Sequence, residues 1–402
     1  MARLPKAKLF VLGGIVLLYI VTGLTLKFLA DKGVLEKTPL PDEMAGDFMP
    51  VTPRLAAAEA FFTGSIARPD GHVNLYYAKN STFAQDNATN SEAMSYYLLW
   101  TAQGNDKKSF DTALDFVQDR MLHPHGEYMQ WRVESNGSIV NDGSNIATDA
   151  DLRAVRALLI AENQWGDSRY SLMIDSLASG IERMGITHDG LLAPYAGLSG
   201  EKPWTAKEVW LSYSDFTVFR ELSSRRGEPW TGLYAKMVNK TLDAQIANGL
   251  YNSELTQERE YGNGIDGGGY GINSMWIMVR MAESSDPILQ ASANRSLQFY
   301  KKQFEINDEL FSLYNSNGDA LQPSDTPWVY ALVGRAALAL GEAEFGEEMV
   351  NKLLDMQVND TASSLYGAFP EGSERDLRVG QFTMQESILT LQEYVRVKGV
   401  EI

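Results

Sequence analysis

Two short segments place carboxylates where they could work together. Ala147-Thr148-Asp149-Ala150-Asp151-Leu152 leads into an amphipathic run that reaches Trp165, and Ser91-Glu92-Ala93-Met94-Ser95-Tyr96 opens another that contains Leu98 and Trp100. A pair of carboxyl groups can do general acid–base chemistry, because one held protonated donates while another, ionised, accepts. Each segment alone also reads as structure. Asp and Glu suit the first turn of a helix, and Thr148 or Asp149 could cap its free N–H groups. Composition narrows the chemistry further. The chain has no Cys, which removes thiolate catalysis, disulfides, Cys-ligated zinc and iron–sulfur clusters, and its only His are His72, His123, His125 and His188. Acid–base work therefore falls to carboxylates.

Other motifs carry less. Gly262 to Gly267 spells Gly-x-Gly-x-x-Gly, but a dinucleotide site needs a buried strand before it, and Thr256-Gln257-Glu258-Arg259-Glu260 is no such strand. His123-Pro124-His125 has a proline between its imidazoles and no third ligand in view, so a surface loop is the plainer reading. Asp149-x-Asp151 resembles the acidic pair of metal-dependent sugar transferases, yet it heads an amphipathic helix rather than ending a strand. No residues are assigned to a metal or a cofactor. The 402 residues carry 35 Lys and Arg against 52 Asp and Glu, a net charge of −17, so a phosphate backbone is repelled and nucleic acid is not an expected partner.

The elements that position these residues are helices. Leu152, Val155, Leu158 and Leu159 fall at helical spacing, as do Ile388, Leu389, Leu391 and Tyr394, and 331–340 and 345–354 are amphipathic. Turn signals such as Asn136-Gly137, Asn141-Asp142-Gly143 and Asn315-Ser316-Asn317-Gly318 separate them, and alternating β-branched runs are scarce. About a dozen helices arranged in hairpins predict an all-α closed ring of helix pairs forming one domain. No strict repeat is visible in the residues. Ahead of that body, residues 1–30 contain Leu9 to Leu26 without a charge, flanked by Arg3, Lys6, Lys8 and Lys27. Eighteen helical residues cover about 27 Å, close to a hydrocarbon core of ~30 Å, so a membrane anchor helix is expected, with a cleaved signal peptide as the rival. Residues 31–53, with Pro39, Pro41, Pro50 and Pro53, read as a semi-rigid linker, and 54–402 as the globular domain.

Taken together, the two carboxylate segments resemble glycoside hydrolase family 8. That family carries a Ser-Glu-Gly-Met/Gln-x-Tyr segment and then Ala-Thr-Asp-Ala-Asp at the head of a helix ending in Trp-Gly. Here the second signature reads ATDADLRAVRALLIAENQWG, with Ala154 and Val155 departing from the usual pair, and the first has Ala93 in place of Gly. Pro69-Asp70-Gly71 upstream and Met129-Gln130-Trp131 between the motifs are also family-like. The resemblance implies an (α/α)6 barrel that hydrolyses a β-linked polysaccharide, of the β-1,4 kind, with inversion. It implies Glu92 as general acid and Asp149 as the carboxylate that binds sugar beside the cleavage point. Tyr213 matches the tyrosine that holds the attacking water, and Trp131, Trp204 and Asp151 fall among substrate-binding positions. The general base is where the chain departs from the family, since the usual Tyr-Asp-Ala-x-Arg segment lacks its Arg here. Asp266 is the only carboxylate in the comparable stretch 261–270 and is nominated as base, with Asp215 and Glu254 as reserves; a turn residue among glycines is its plain alternative.

The physical requirement agrees with these roles. An inverting glycosidase needs a protonated carboxyl at the leaving oxygen and an ionised one behind a water, with about 6.5–9.5 Å between them. Most of the eight Trp, eighteen Tyr and sixteen Phe belong in the core. Trp210, Trp328 and Tyr330 are further candidates to line a groove. Six Asn-x-Ser/Thr sequons, Asn80 and Asn239 among them, matter only in an exported chain with glycosylating machinery. The expected function is a membrane-anchored endo-glycosidase with its catalytic domain outside the cell, processing exopolysaccharide beside synthesis or export machinery. The rivals are an inactive glycan-binding barrel that lost its base and a helical-barrel polysaccharide lyase or epimerase.

Overall fold

The computed structural model describes residues 51–78, 88–125, 127–140, 143–322, 326–371 and 378–399. The expected anchor and most of the expected linker lie outside them. Among the described residues no helix is long and apolar enough to cross a membrane.

Twelve α-helices of those residues pair into six hairpins. The outer members are α1 (Val51–Phe61), α3 (Lys107–Phe116), α5 (Ser168–Gly180), α7 (Trp230–Asp243), α9 (Pro287–Asn307) and α11 (Ala343–Asp355). The inner members are α2 (Ser91–Gln103), α4 (Thr148–Trp165), α6 (Phe216–Arg226), α8 (Ile272–Ala282), α10 (Pro327–Ala339) and α12 (Gln381–Lys398). Inner helices follow one another in chain order around the ring, the turn Leu211–Tyr213 ahead of α6 packing on α8, and α12 closes back on α2, which makes the expected (α/α)6 barrel. The first helix starts at Val51, three residues ahead of the predicted domain boundary, with Pro53 in its opening turn where a missing N–H costs nothing.

Inner and outer helices differ as their surroundings require. Outer α3 buries one stripe, Phe110, Ala113, Leu114 and Phe116, and turns Lys108 and Asp115 to solvent. Inner α2 is buried nearly all round, from Ala93 to Ala102, because it has neighbours on both sides and the barrel interior behind it. Full burial of a residue such as Phe110 stabilises the fold by about 1.5–3 kcal/mol.

The connections repeat. The outer helices α1, α3 and α5 run into a π-turn, and a bridged turn follows: Ala67 with Val73, Leu122 with Met129 and Ile186 with Leu192; Gln245 with Tyr251 repeats the bridge after α7. Short antiparallel strands then lead to the inner helix. Gly71 (φ +93°) and Gly249 (φ +100°) sit in two of these turns, where a Cβ would lie 2.3 Å from the Thr112 carbonyl oxygen and 2.5 Å from that of Arg295. Only glycine fits both that backbone and that contact. A repeat therefore exists in backbone geometry although the side chains do not show it.

Candidate active site

Glu92 is the second residue of α2 and Asp149 the second of α4, two helices in extensive contact, so the two carboxyls meet at one end of the barrel. Asn90 caps α2 by accepting from the Ala93 N–H at 2.8 Å. On α4 neither Thr148 nor Asp149 caps the helix, contrary to the sequence expectation. The Thr148 hydroxyl donates instead to the Ala193 carbonyl at 2.6 Å, fastening α4 to the next turn, and Asp149 accepts from Arg153 Nη2 at 3.0 Å. Arg153 is fully buried, lies 3.9 Å from the centre of the Tyr96 ring and donates to Ser95 at 3.0 Å.

This pair begins an ionic ladder through the barrel. The Tyr96 hydroxyl donates to Glu386, Trp276 Nε1 donates to the same oxygen at 3.2 Å, and Arg335 lies 2.6 Å from the other oxygen. Arg335 also approaches Glu283 at 3.1 Å; Glu283 lies 2.5 Å from Arg156, and Asp215 holds Arg156 and Arg280 at 3.5 and 3.3 Å. Four guanidiniums thus face four carboxylates, Asp149, Asp215, Glu283 and Glu386. Among the described residues Glu92 has no ion pair. Burial first and the Asp149 charge second push its carboxyl up to about 7; Arg153 opposes them and Glu386 adds to the rise. A carboxyl that keeps its proton near neutrality is what a general acid requires.

Tyr213 joins the pair. Its phenol is raised well above the ordinary value, by burial first and then by the charges of Asp149 and Glu92. Around it stand half-buried rings in sequence: Trp210 at 5.1 Å from Tyr213, Tyr195 at 6.1 Å from Trp210, and Trp204 at 6.1 Å from Tyr195. Strand register explains the grouping, because Ala147, just before α4, pairs with Tyr195, and Trp204 pairs across from Gly197. Trp131 is 39% exposed and its carbonyl accepts from the Ser91 N–H at 2.9 Å, which puts its backbone beside the start of α2. Across the barrel, Phe382 gathers Trp276 at 5.6 Å, Tyr96 at 6.1 Å and Trp328 at 6.4 Å.

Several expectations need correcting. Asp151 is fully enclosed and accepts from the Met129 N–H at 3.0 Å, so it anchors the segment carrying Trp131 and cannot itself touch substrate. Burial, then the Asp149 charge, raise it well above the carboxylate range, against the Met129 N–H. Asp215, a reserve base, is buried in the ladder and caps α6 by accepting from Val218 N–H at 3.1 Å. Tyr330 is core, its hydroxyl accepting from Leu310 N–H at 3.2 Å, whereas Trp210 and Trp328 are half-exposed. Asp266 closes the 3-10 turn Gly264–Asp266 and binds the start of α8, accepting from Asn273 Nδ2 at 2.8 Å and from the Gly271 N–H at 3.4 Å. Asn273 accepts in turn from Ser212, the neighbour of Tyr213. Burial raises the Asp266 carboxyl, and these hydrogen bonds oppose the rise. The other reserve, Glu254, accepts from Gly264 N–H at 2.6 Å and pairs across from Trp210.

Arg153, Trp276, Phe382 and Glu386 did not stand out in the sequence, and Tyr96 entered only as part of its motif, with no role. Arg153 could have been found, since it lies four residues after Asp149, the spacing of a helical ion pair.

A helical barrel with a raised carboxyl among aromatic rings at one end has counterparts among known proteins. The model of Glycosyl hydrolases family 8 matches residues 79–264. An endoglucanase of Escherichia coli O157:H7 is 25% identical over 222 residues, 52% of this chain and 59% of that protein. This chain therefore spans less than two thirds of that relative's length. Among solved structures, a protein described as a novel alpha-amylase from Clostridium perfringens superposes with a TM-score of 0.72 at 22% identity, covering 87% of this chain and 99% of that one. An endo-1,4-D-glucanase from Vibrio fischeri ES114 gives 0.62 at 18%, covering 85% and 94%. Over residues 79–264 this chain is thus similar to glycoside hydrolase family 8.

Proposed function

We propose that this protein is an endo-glycosidase that cleaves a β-linked glycan with inversion. The observation that carries the reading is Glu92, a carboxyl held up to about 7 at the end of a barrel rimmed by Trp131, Trp204, Trp210 and Tyr213. Glu92 donates its proton to the leaving glycosidic oxygen. Asp149, fixed by Arg153, accepts hydrogen bonds from the sugar beside the cleaved bond, and the rings carry neighbouring sugars on their faces. Asp266 takes the proton of the attacking water, and the Tyr213 hydroxyl orients that water. Asp266 also accepts from Gly271 N–H and Asn273 Nδ2 at the start of α8, which fixes its carboxyl in place. The apolar run Leu9–Leu26 supports a membrane tether with the barrel outside the cell, where it would trim an emerging exopolysaccharide.

The test is incubation of the full-length protein with a panel of β-linked polysaccharides, with starch included because the Clostridium perfringens protein shares the fold. New reducing ends from a β-glycan, of inverted anomeric configuration and lost in Glu92→Gln, are the expected result; the acid proton is worth about 10²–10⁴-fold. Unsaturated products would make it a lyase, and binding without cleavage a non-catalytic glycan receptor. Release from starch alone would replace the β-glycan with an α-glucan.

A further inference from the structure

A cavity of about 390 Å³ opens at the end of the barrel opposite Glu92, where the inner helices finish. Gln103 on its rim ends α2, eleven residues and roughly 16 Å along the helix from Glu92. Arg156, Arg280, Arg335 and Glu283 form its floor, while Glu393 and Arg396 stand near its mouth. Arg280 is 8% exposed. The volume matches a monosaccharide-sized ligand.

Two of these guanidiniums are only half used. The hydrogen bonds of Arg156 and Arg280 to described residues run through Nη1: Arg156 to Glu283 at 2.5 Å and Asp215 at 3.5 Å, and Arg280 to Asp215 at 3.3 Å; Glu283 also lies 3.9 Å from Arg280. Their Nε–H and Nη2–H groups form the parallel donor edge that meets a carboxylate or phosphate two bonds at a time. The acidic groups facing the cavity are already engaged. Burial would raise the Glu283 carboxyl, but Arg156, Arg335 and Arg280 bring it down to about 2. Glu393 is held by Arg396 at 2.5 Å. Arg220, hydrogen-bonded to Ser285 on the lining, adds a fifth guanidinium around the cavity, against four carboxylates when Asp215 and Glu386 behind the floor are counted with Glu283 and Glu393. That leaves one positive charge to set against the partial negative charge of the helix carbonyl ends.

We infer that this cavity is a second ligand site, for a small molecule bearing a carboxylate or phosphate group that docks on the free edges of Arg156 and Arg280. A sugar acid and a phosphorylated sugar share this chemistry. The site is built on α4, α8 and α10, helices that carry Asp149, Trp276 and Trp328 nearer their starts, so an occupant would tie together elements that frame the catalytic end.

Isothermal titration of the full-length protein at low ionic strength tests this, with inorganic phosphate, glucuronate and, as the neutral control, glucose. Saturable binding of either anion without binding of glucose is expected, and which anion binds identifies the group. Arg280→Gln should weaken it by about tenfold or more. Ala339→Phe keeps every charge and fills the cavity, so it should abolish binding even if Arg280→Gln fails to fold. Absence of saturable anion binding, equal binding of glucose, or undiminished binding in Ala339→Phe would overturn the assignment.

Discussion

Replacing Glu92 with glutamine should destroy activity and yet stabilise the protein, increasingly so as the pH rises. The Glu92 carboxyl is lifted from 4.5 to about 7 on folding. The folded state therefore holds a proton that the unfolded state releases, and stability falls as pH rises between those values. At 1.36 kcal/mol per pH unit the full penalty is about 3.4 kcal/mol, reached above pH 7; at pH 5 only about 1 kcal/mol has developed. An amide has no such titration, so Glu92→Gln escapes the penalty at every pH. Any loss of hydrogen bonding by the amide is the same at both pH values and drops out of the comparison.

For a body of about 350 residues the entropy of unfolding near the midpoint is about 0.7 kcal/mol/K, so the ~2.4 kcal/mol difference becomes about 3 °C. Scanning calorimetry of both proteins at pH 5 and pH 8.5 reads it directly: the gap in Tm, variant minus wild type, should widen by that amount. A gap equal at the two pH values would mean that Glu92 is not protonated by its surroundings, and the assignment of a general acid would lose its physical basis.

Three further outcomes follow from neighbouring contacts. Glu386→Gln keeps acceptors for Tyr96 and Trp276 but removes a negative charge that raises Glu92, so the alkaline limb of the pH–rate profile should move down. Arg153→Met strands Asp149 in the interior and should cost about 3–5 kcal/mol in urea unfolding, with Arg153→Lys losing less. Gly71→Ala puts a methyl 2.3 Å from a backbone oxygen at φ +93° and should cost at least about 2 kcal/mol by thermal melt, without touching the catalytic end.

The helices were legible because burial on one stripe imposes a period on the residues, as at Leu152 to Leu159 and Ile388 to Tyr394. The turn repeat was not, because its requirement is a backbone angle and a close approach: Asp70-Gly71, Asp189-Gly190 and Asn248-Gly249 share only a glycine after Asp or Asn. Glu92 and Asp149 were found through local segments. Their partners were not, because Glu386 and Arg335 reach the site from helices hundreds of residues away, and chain spacing carries no trace of that contact. Asp151 was misread for a related reason. Alternate residues at a helix start point in different directions, so Asp149 faces Arg153 while its neighbour but one faces Met129.

Why Glu92 should be the group that keeps a proton follows from comparing opposing effects. At the second position of α2 the helix dipole favours its anion by about 0.3–1 kcal/mol. Burial and Asp149 oppose that with the larger ~3.4 kcal/mol found above, so the net effect keeps the acid form. The ladder decides which carboxyl bears this cost. Asp149, Asp215, Glu283 and Glu386 each have a guanidinium within 3.5 Å, so each of these four charges is balanced where it stands. Ionising Glu92 would add a fifth negative charge beside these four, and among the described residues no cation pairs with it; Arg153, already held by Asp149, opposes the rise only in part. The proton on Glu92 is thus a consequence of how the whole barrel interior is paired. The chemistry at one end depends on arginines whose own contacts lie at the other.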